Sequence, residues 1–367
     1  FPAEFDTYQE VKTGDFVFCL FDVEATPRCG GISDYEGMIT GAYTVMEVKS
    51  NFDKRFLYYF YLNLDVDKRM RPLYTGLRNT ISKDNFFAFK TFVPSLPEQT
   101  VIASFLDDKT AKIDRVIAQK QQMIALLKER KQIIIQNAVT KGLDPNAKMK
   151  HSGVEWIGEI PEGWEVARVK QYSNKISKGT TPSTEGRSIL DEGAIRFIKA
   201  ENIQDGIITN YPAHFIDKKT NAMIQRSQLE ENDILFVIAG ATLGKIAIVY
   251  KEQTPCNTNQ AVAFVRPNKA LVIPKYLAIW LSSSIIKELT WLVAVQSAQP
   301  NLSMENLGNF PIALPSLAEQ KNILIHIDIG GEKIATAISL KEKEIEKLKE
   351  FKATLIDSAV TGKIKVG

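Results

Sequence analysis

Two stretches of the chain carry apolar residues every 3.5 positions. The first series is Ala103, Leu106, Thr110, Ile113, Ile117, Lys120, Ile124, Leu127, Lys131, Ile134 and Ala138; the second is Leu324, Ile327, Gly331, Ile334, Ile338, Lys341, Ile345, Leu348, Lys352, Leu355 and Ala359. A period kept over several heptads predicts two long helices, each with one apolar seam. Pro94 and Pro97 fit only before or in a first turn, and Gly142 with Pro145 ends the pattern, so the helices are expected near 98–141 and 318–361. Gly330-Gly331 predicts a break or kink in the second, since each glycine costs about 1 kcal/mol in a helix interior. A seam this long must be covered. The simplest cover is the other series packed antiparallel, with the seam lysines limiting association and fixing register.

Between the two series the period changes. Short β-rich runs bounded by turn residues occur at Ile195–Ile198, Asp233–Ile238, Ile246–Tyr250 and Ala261–Val265, and only 273–293 shows helical spacing, opened by Pro274. This reads as a mixed α+β domain over 156–317, with Trp156 and Trp164 in its core and residues 143–155 as the linker into it.

The helical series are copies of one another. Residues 94–140 align without a gap on 315–361, and 20 of the 47 pairs are identical, including both flanking motifs, Pro94-Ser95-Leu96-Pro97-Glu98-Gln99 against Pro315-Ser316-Leu317-Ala318-Glu319-Gln320. Shared heptads could arise by chance; shared lysines and flanks could not. The copy of the intervening domain is partial. Gly14-Asp15-Phe16-Val17-Phe18 resembles Asn232-Asp233-Ile234-Leu235-Phe236, and Thr75–Ser82 lies 221 residues before Gln296–Ser303. Residues 1–95 are therefore expected to be the C-terminal part of a first domain whose start lies roughly 60 residues before Phe1.

Composition narrows the function classes. Apolar residues make up 44% of the chain and charged residues 24%, ordinary values for a globular protein, and no apolar run approaches a membrane span. Three scattered cysteines, Cys19, Cys29 and Cys256, disfavour a disulfide framework or a zinc site and fit a reducing cytoplasm. The net charge is only +3, so a nucleic acid would have to be met by local basic patches.

The order domain, long helix, domain, long helix resembles the specificity subunit of type I restriction-modification enzymes. The residues that carry the likeness are the duplicated helix-opening motif, Ser152-Gly153-Val154-Glu155-Trp156-Ile157-Gly158-Glu159-Ile160-Pro161, Gly179-Thr180-Thr181-Pro182-Ser183, and the run from Asn232 through Gly240 to Lys245. The resemblance implies an α+β protein with two α/β target recognition domains, the first incomplete here, separated by two long antiparallel coiled-coil helices at 96–142 and 318–367. It further implies that each domain reads half of a split site in double-stranded DNA, that the helices space the domains and dock two methyltransferase subunits, and that restriction subunits join to cleave. Val116, Met123, Ile133 and Ile135 fall outside the seam and could meet such a partner or the recognition domains. No cofactor is expected on this chain, S-adenosylmethionine belonging to the partner. An adenine methyltransferase would show a glycine-rich cofactor loop and an Asn/Asp-Pro-Pro-aromatic tetrapeptide, neither of which occurs, and the carboxylates show no metal-binding spacing. A scaffold protein, or a DNA-binding regulator without methyltransferase partners, remains the alternative.

Candidate DNA contacts follow from chemistry. Phosphates are met by Lys, Arg, hydroxyls and glycine-rich turns, bases by Arg, Lys, Asn and Gln. Lys178, Thr180, Thr181, Ser183 and Arg187 surround Gly179 in a polar stretch; Lys199 and Asn202 follow a β-like run; Lys245 closes Gly240–Gly244, which has the look of an anion-binding turn or of a plain turn between strands. Gln299 and Asn301 align with the segment holding Arg78 and Asn79. A duplicated loop whose base-reading chemistry differs suits two modules with different half-sites. Asn257, Asn259 and Gln260 are weaker candidates.

Overall fold

The computed structural model describes residues 7–66, 68–204, 206–294 and 300–366. Two units emerge, one from Phe1–Ala125 with Ala337–Gly367, the other from Leu126–Thr336. Among the described residues no single helix is long and apolar enough to cross a membrane.

The two heptad series form helices Leu96–Lys141 and Leu317–Val360. Of the seam positions only Lys131 is exposed. Within each unit the two helices run antiparallel. In the first, Ile102 and Leu106 share a core with Ile356 and Ala359, Lys120 reaches Glu344, and Lys352 donates to both oxygens of Asp114 at 2.6–2.7 Å. In the second, Gly330 lies against Ile134 and Gly331 against the Lys131 stem. Two seam lysines, Lys120 and Lys352, thus set register through an acid on the partner helix. Hydrogen bonds from Lys120 and Lys341 hold the Glu344 carboxyl down at about 2, so this contact is fully present above the ordinary value of 4.5 and fades as pH falls toward 2. The break expected at Gly330-Gly331 does not occur, because the helix continues through both glycines. Packing against the neighbouring helix outweighs their poor propensity.

The motif that opens each long helix acts the same way twice. Gln99 and Gln320 are both 1% exposed. Gln99 Oε1 accepts from Asp53 N at 2.9 Å and its Nε2 donates to Pro94 O at 2.9 Å; Gln320 repeats this with Ile273 N at 2.9 Å and Pro315 O at 3.0 Å. Each amide ties a long helix to the start of another helix in its unit, Lys54–Val66 in the first and Pro274–Leu281 in the second. Gln320→Ala is expected to strand both partners and lower stability by about 1–3 kcal/mol, read as a lower urea midpoint.

In the second unit, one four-stranded antiparallel sheet has the order Ile246–Ile248, Ile234–Val237, Val262–Pro267, Ser173–Lys178. The other has the order Phe215–Ile216, Ile195–Ile198, Cys256–Thr258, Gln228–Leu229, its central pair parallel. Strand Ile234–Val237 is buried at every position, hence its unbroken apolar sequence. Ser173–Lys178 is an edge strand, largely half-buried, a setting that permits its polar sequence. Two expectations are corrected here. The helical stretch at 273–293 is two helices, Pro274–Leu281 and Ser284–Ala294. Trp164 is core, 1% exposed with Nε1 donating to Glu319 at 2.9 Å, but Trp156 is 48% exposed.

The first unit holds a three-stranded sheet in the order Gly30–Ile32, Phe16–Phe18, Thr44–Met46. Its local hydrogen bonds repeat those of the second. Gly14 and Asn232 both adopt positive φ, and the aspartate that follows each accepts a backbone N–H three residues back, Lys12 N to Asp15 at 2.9 Å and Glu230 N to Asp233 at 2.8 Å. Ile81 N donates to Leu20 O as Leu302 N does to Ile238 O, both at 2.8 Å. Ser82 and Ser303 each cap the short helix that follows.

Candidate nucleic-acid interface

The strand pairings of the second unit bring most of the candidate residues to one end of its two sheets. Lys178 faces Ala263 and Val237 faces Val262, so the loops that follow 178 and 237 emerge together with those that precede 246 and 262. The parallel pairing of Ile198 with Thr258 adds residue 199 and the turn at 259–261. Asn301 joins through a bridge to Ala239.

Gly179 is the tightest point. Its N–H donates to Val262 O at 2.9 Å, and a Cβ would meet the Asn259 and Thr258 carbonyl oxygens at 2.1 and 2.2 Å. Only glycine lets the two loops touch. Thr180 N donates to Thr258 O, and Thr181 opens the 3-10 turn Pro182–Glu185, which Gly186 ends. Ser183 is exposed and Arg187 half-buried. Asp217, at the start of Lys218–Met223, is held below the usual carboxylate range by hydrogen bonds from Thr220, with the Arg187 charge adding to the effect.

Several candidates have internal duties. Asn202 is fully buried, accepting from Lys199 N at 3.0 Å and donating to Pro212 O at 2.8 Å, so its amide is spent on the turn. Lys199 lies 3.7 Å from Glu201, which also meets His214. Asn257 is buried and bonded to Asn221 and Ile224. Gly240–Lys245 is a turn between strands: Leu243 N and Lys245 N donate to Gly240 O and Thr242 O within it and Gly244 N donates to Val237 O, leaving none of these three for an anion. The Lys245 side chain is exposed, as are Asn301 and Gln260. Gln299 lies outside the described residues. Asn259 Oδ1 is buried without a hydrogen-bond partner among the described residues.

In the first unit, Arg78 and Asn79 occupy a turn stapled by the Thr75–Thr80 bridge, with both carbonyl oxygens accepting from Asp22 and Val23. Arg78 extends into solvent with one nitrogen 3.1 Å from Asp22. Asn79 has φ +46°, so its residue type is explained by the left-handed turn before any base contact is invoked.

The sequence matches a family model described as the type I restriction modification DNA specificity domain over residues 32–125 and 161–350. The chain belongs to this family. Among relatives of this specificity family, it is 31% identical to the EcoBI specificity subunit of Escherichia coli over 242 residues, 64% of this chain and 50% of that protein. The MjaVIII specificity subunit of Methanocaldococcus jannaschii is 25% identical over 335 residues, 90% of this chain and 75% of that protein. The chain thus spans half the length of the first relative. Two solved structures share the fold at low identity. One, reported under the structural basis of complex assembly and conformational transition of the type I R-M system, gives a TM-score of 0.69 at 15% identity over 97% of this chain and 84% of its own. The HsdS subunit from Thermoanaerobacter tengcongensis gives 0.55 at 16%, over 99% and 84%.

On the long helices of this specificity-family chain, Val116, Met123 and Ile133 are exposed, whereas Ile135 packs against the second unit's core. One exposed residue of the second unit carries no signal in the sequence. Tyr211, flanked by Asn210 and Pro212, reads as loop, and only the strand pairing places its segment past the C-terminal end of Ile195–Ile198.

Proposed function

We propose that this chain is the DNA-recognition subunit of a type I restriction-modification enzyme, and that the loop end of its second unit contacts one half of a bipartite site in double-stranded DNA. The observation that carries this is the convergence of Lys178, Thr180, Thr181, Lys245 and Asn301 from separate loops onto one end of two sheets. Such a surface combines cations and hydroxyls for phosphates with an amide for a base edge. The Arg78 turn of the first unit is the corresponding reader of the other half. The long helices serve as the spacer between the two readers, since modules that meet one face of a duplex need centres a whole number of helical turns apart. Exposed Val116, Met123 and Ile133 offer apolar surface on which methyltransferase subunits dock, and restriction subunits complete the cleaving assembly. The chain itself neither transfers methyl groups nor cuts DNA, S-adenosylmethionine being bound by the partner.

The test is to assemble the chain with its methyltransferase and map methylated adenines across a genome. A motif of two short specified blocks separated by a fixed unspecified gap is expected. Methylation at one uninterrupted motif, or turnover by the purified single chain abolished by mutation within it, overturns the proposal.

A further inference from the structure

At the same end of the second unit, segment 209–212 is held by all four of its carbonyl oxygens. One nitrogen of the Arg196 guanidinium lies 3.2, 3.0 and 3.1 Å from the carbonyl oxygens of Thr209, Asn210 and Pro212. Asn202 Nδ2 also donates to Pro212 O at 2.8 Å, and the Thr209 hydroxyl lies 3.0 Å from Tyr211 O. Thr209 N donates to Asn202 O at 2.8 Å, closing the frame, and Arg196 is itself steadied over the Phe215 ring at 5.5 Å. What this frame presents is the side chain of Tyr211, 84% exposed. A single exposed apolar residue is ordinary on any surface. A charged residue and a buried amide both committed to the backbone around it are not, because their hydrogen bonds fix the turn that carries the aromatic ring and leave the ring uncovered.

The register tells where the ring stands. Ile195 pairs with Ile216 and Arg196 with Phe215, antiparallel, and Phe197 N donates to His214 O, so residue 211 lies past the C-terminal end of Ile195–Ile198. That end carries Lys199, Thr258 and the turn that grips Gly179. A ring carried on a fixed turn has only two side-chain torsions to order, so it loses little conformational entropy on binding, the property that makes tyrosine effective in recognition surfaces.

We propose that Tyr211 is a DNA-contacting residue of the second unit, laying its ring against base edges in a groove of the bound duplex. The inference rests on the DNA-reading role proposed above and adds to it a contact of apolar rather than ionic chemistry, with Arg196 and Asn202 as the residues that position it.

The experiment uses the chain assembled with its methyltransferase and a fluorescent duplex selected by the wild-type assembly from a pool randomised at its centre. Tyr211→Ala is expected to weaken binding to that duplex roughly tenfold, while Tyr211→Phe, which keeps the ring, stays within about twofold of wild type. Neither change should alter the dependence of binding on salt, whereas Lys178→Ala should lower that slope by about 0.9. Thermal unfolding should be unchanged in both Tyr211 variants, since the side chain covers nothing. If Tyr211→Ala binds as wild type while Lys178→Ala is weakened, this inference fails and the DNA-reading role stands. If the wild-type assembly shows no salt-dependent binding to the pool, the DNA-reading role fails and the inference with it. Loss in Tyr211→Phe equal to that in Tyr211→Ala assigns the contact to the hydroxyl and overturns the ring contact. Weakened association with the methyltransferase at unchanged DNA affinity makes Tyr211 a protein contact, which also overturns it.

Discussion

Asp233→Ala should lower the stability of the second unit by about 3 kcal/mol, at the low end of the cost of breaking a buried ion pair. Asp233 is fully buried at the start of the central strand. Its Oδ1 and Oδ2 accept from Arg266 Nε and Nη2, each at 2.8 Å, while Oδ2 also takes Glu230 N at 2.8 Å. Alanine removes a two-pronged acceptor and leaves a guanidinium whose side chain is 19% exposed beside an unpaired N–H. Arg266 keeps Glu230 and the face of Phe264, so the loss stays below that of a fully stranded charge. The repeat supplies its own control. Asp15 makes the same turn bond, to Lys12 N, but in an exposed setting, so Asp15→Ala should cost only about 0.5–1.5 kcal/mol. Urea midpoints of the two variants check the contrast; equal shifts would mean that the ion pair contributes nothing beyond the turn.

This comparison also shows what could be read from the sequence. The two Asp turns and the heptad seams are legible because each is fixed by local spacing, and the duplication states each one twice; the paired Gln clamps are not, since each amide bonds a backbone N–H 46 or 47 residues away. The edge strand Ser173–Lys178 is not, since a strand paired on one side needs few apolar residues. Polar candidates divide for a different reason. Asn202, Asn257 and Asn79 have the side chains a base reader needs, yet an amide that bonds a backbone carbonyl and one that bonds adenine are the same residue in a sequence. Structure separates them: Asn202 and Asn257 are fully buried, Asn79 holds a left-handed turn, and Asn301 is exposed. Arg196 is the converse case. It reads as a surface cation of a β-run and proves to be the clamp of a turn. Gly330-Gly331 misleads because propensity is a weak term beside packing along a 44-residue helix.

Among the candidate contacts, positioning and reading are separable by their dependence on salt and sequence. Lys178, Arg187 and Lys245 should touch phosphates, so each alanine variant is expected to weaken binding to all duplexes alike and to lower the salt slope by about 0.9. Asn301 should behave differently. It is exposed and tethered by its bridge to Ala239, at the end where the basic side chains gather. An amide there that donates to and accepts from one base edge gives discrimination of about 1–3 kcal/mol, so Asn301→Ala should lose that much on the cognate half-site and little on unrelated DNA, with the salt slope unchanged. Counterion release is blind to sequence and a base edge is blind to salt, so the two classes cannot exchange signatures. Should Asn301→Ala leave the preference between cognate and altered half-sites intact, the duplicated loop is structural in the second unit, and base reading falls to Thr180, Thr181 and Gln260 around the Gly179 contact.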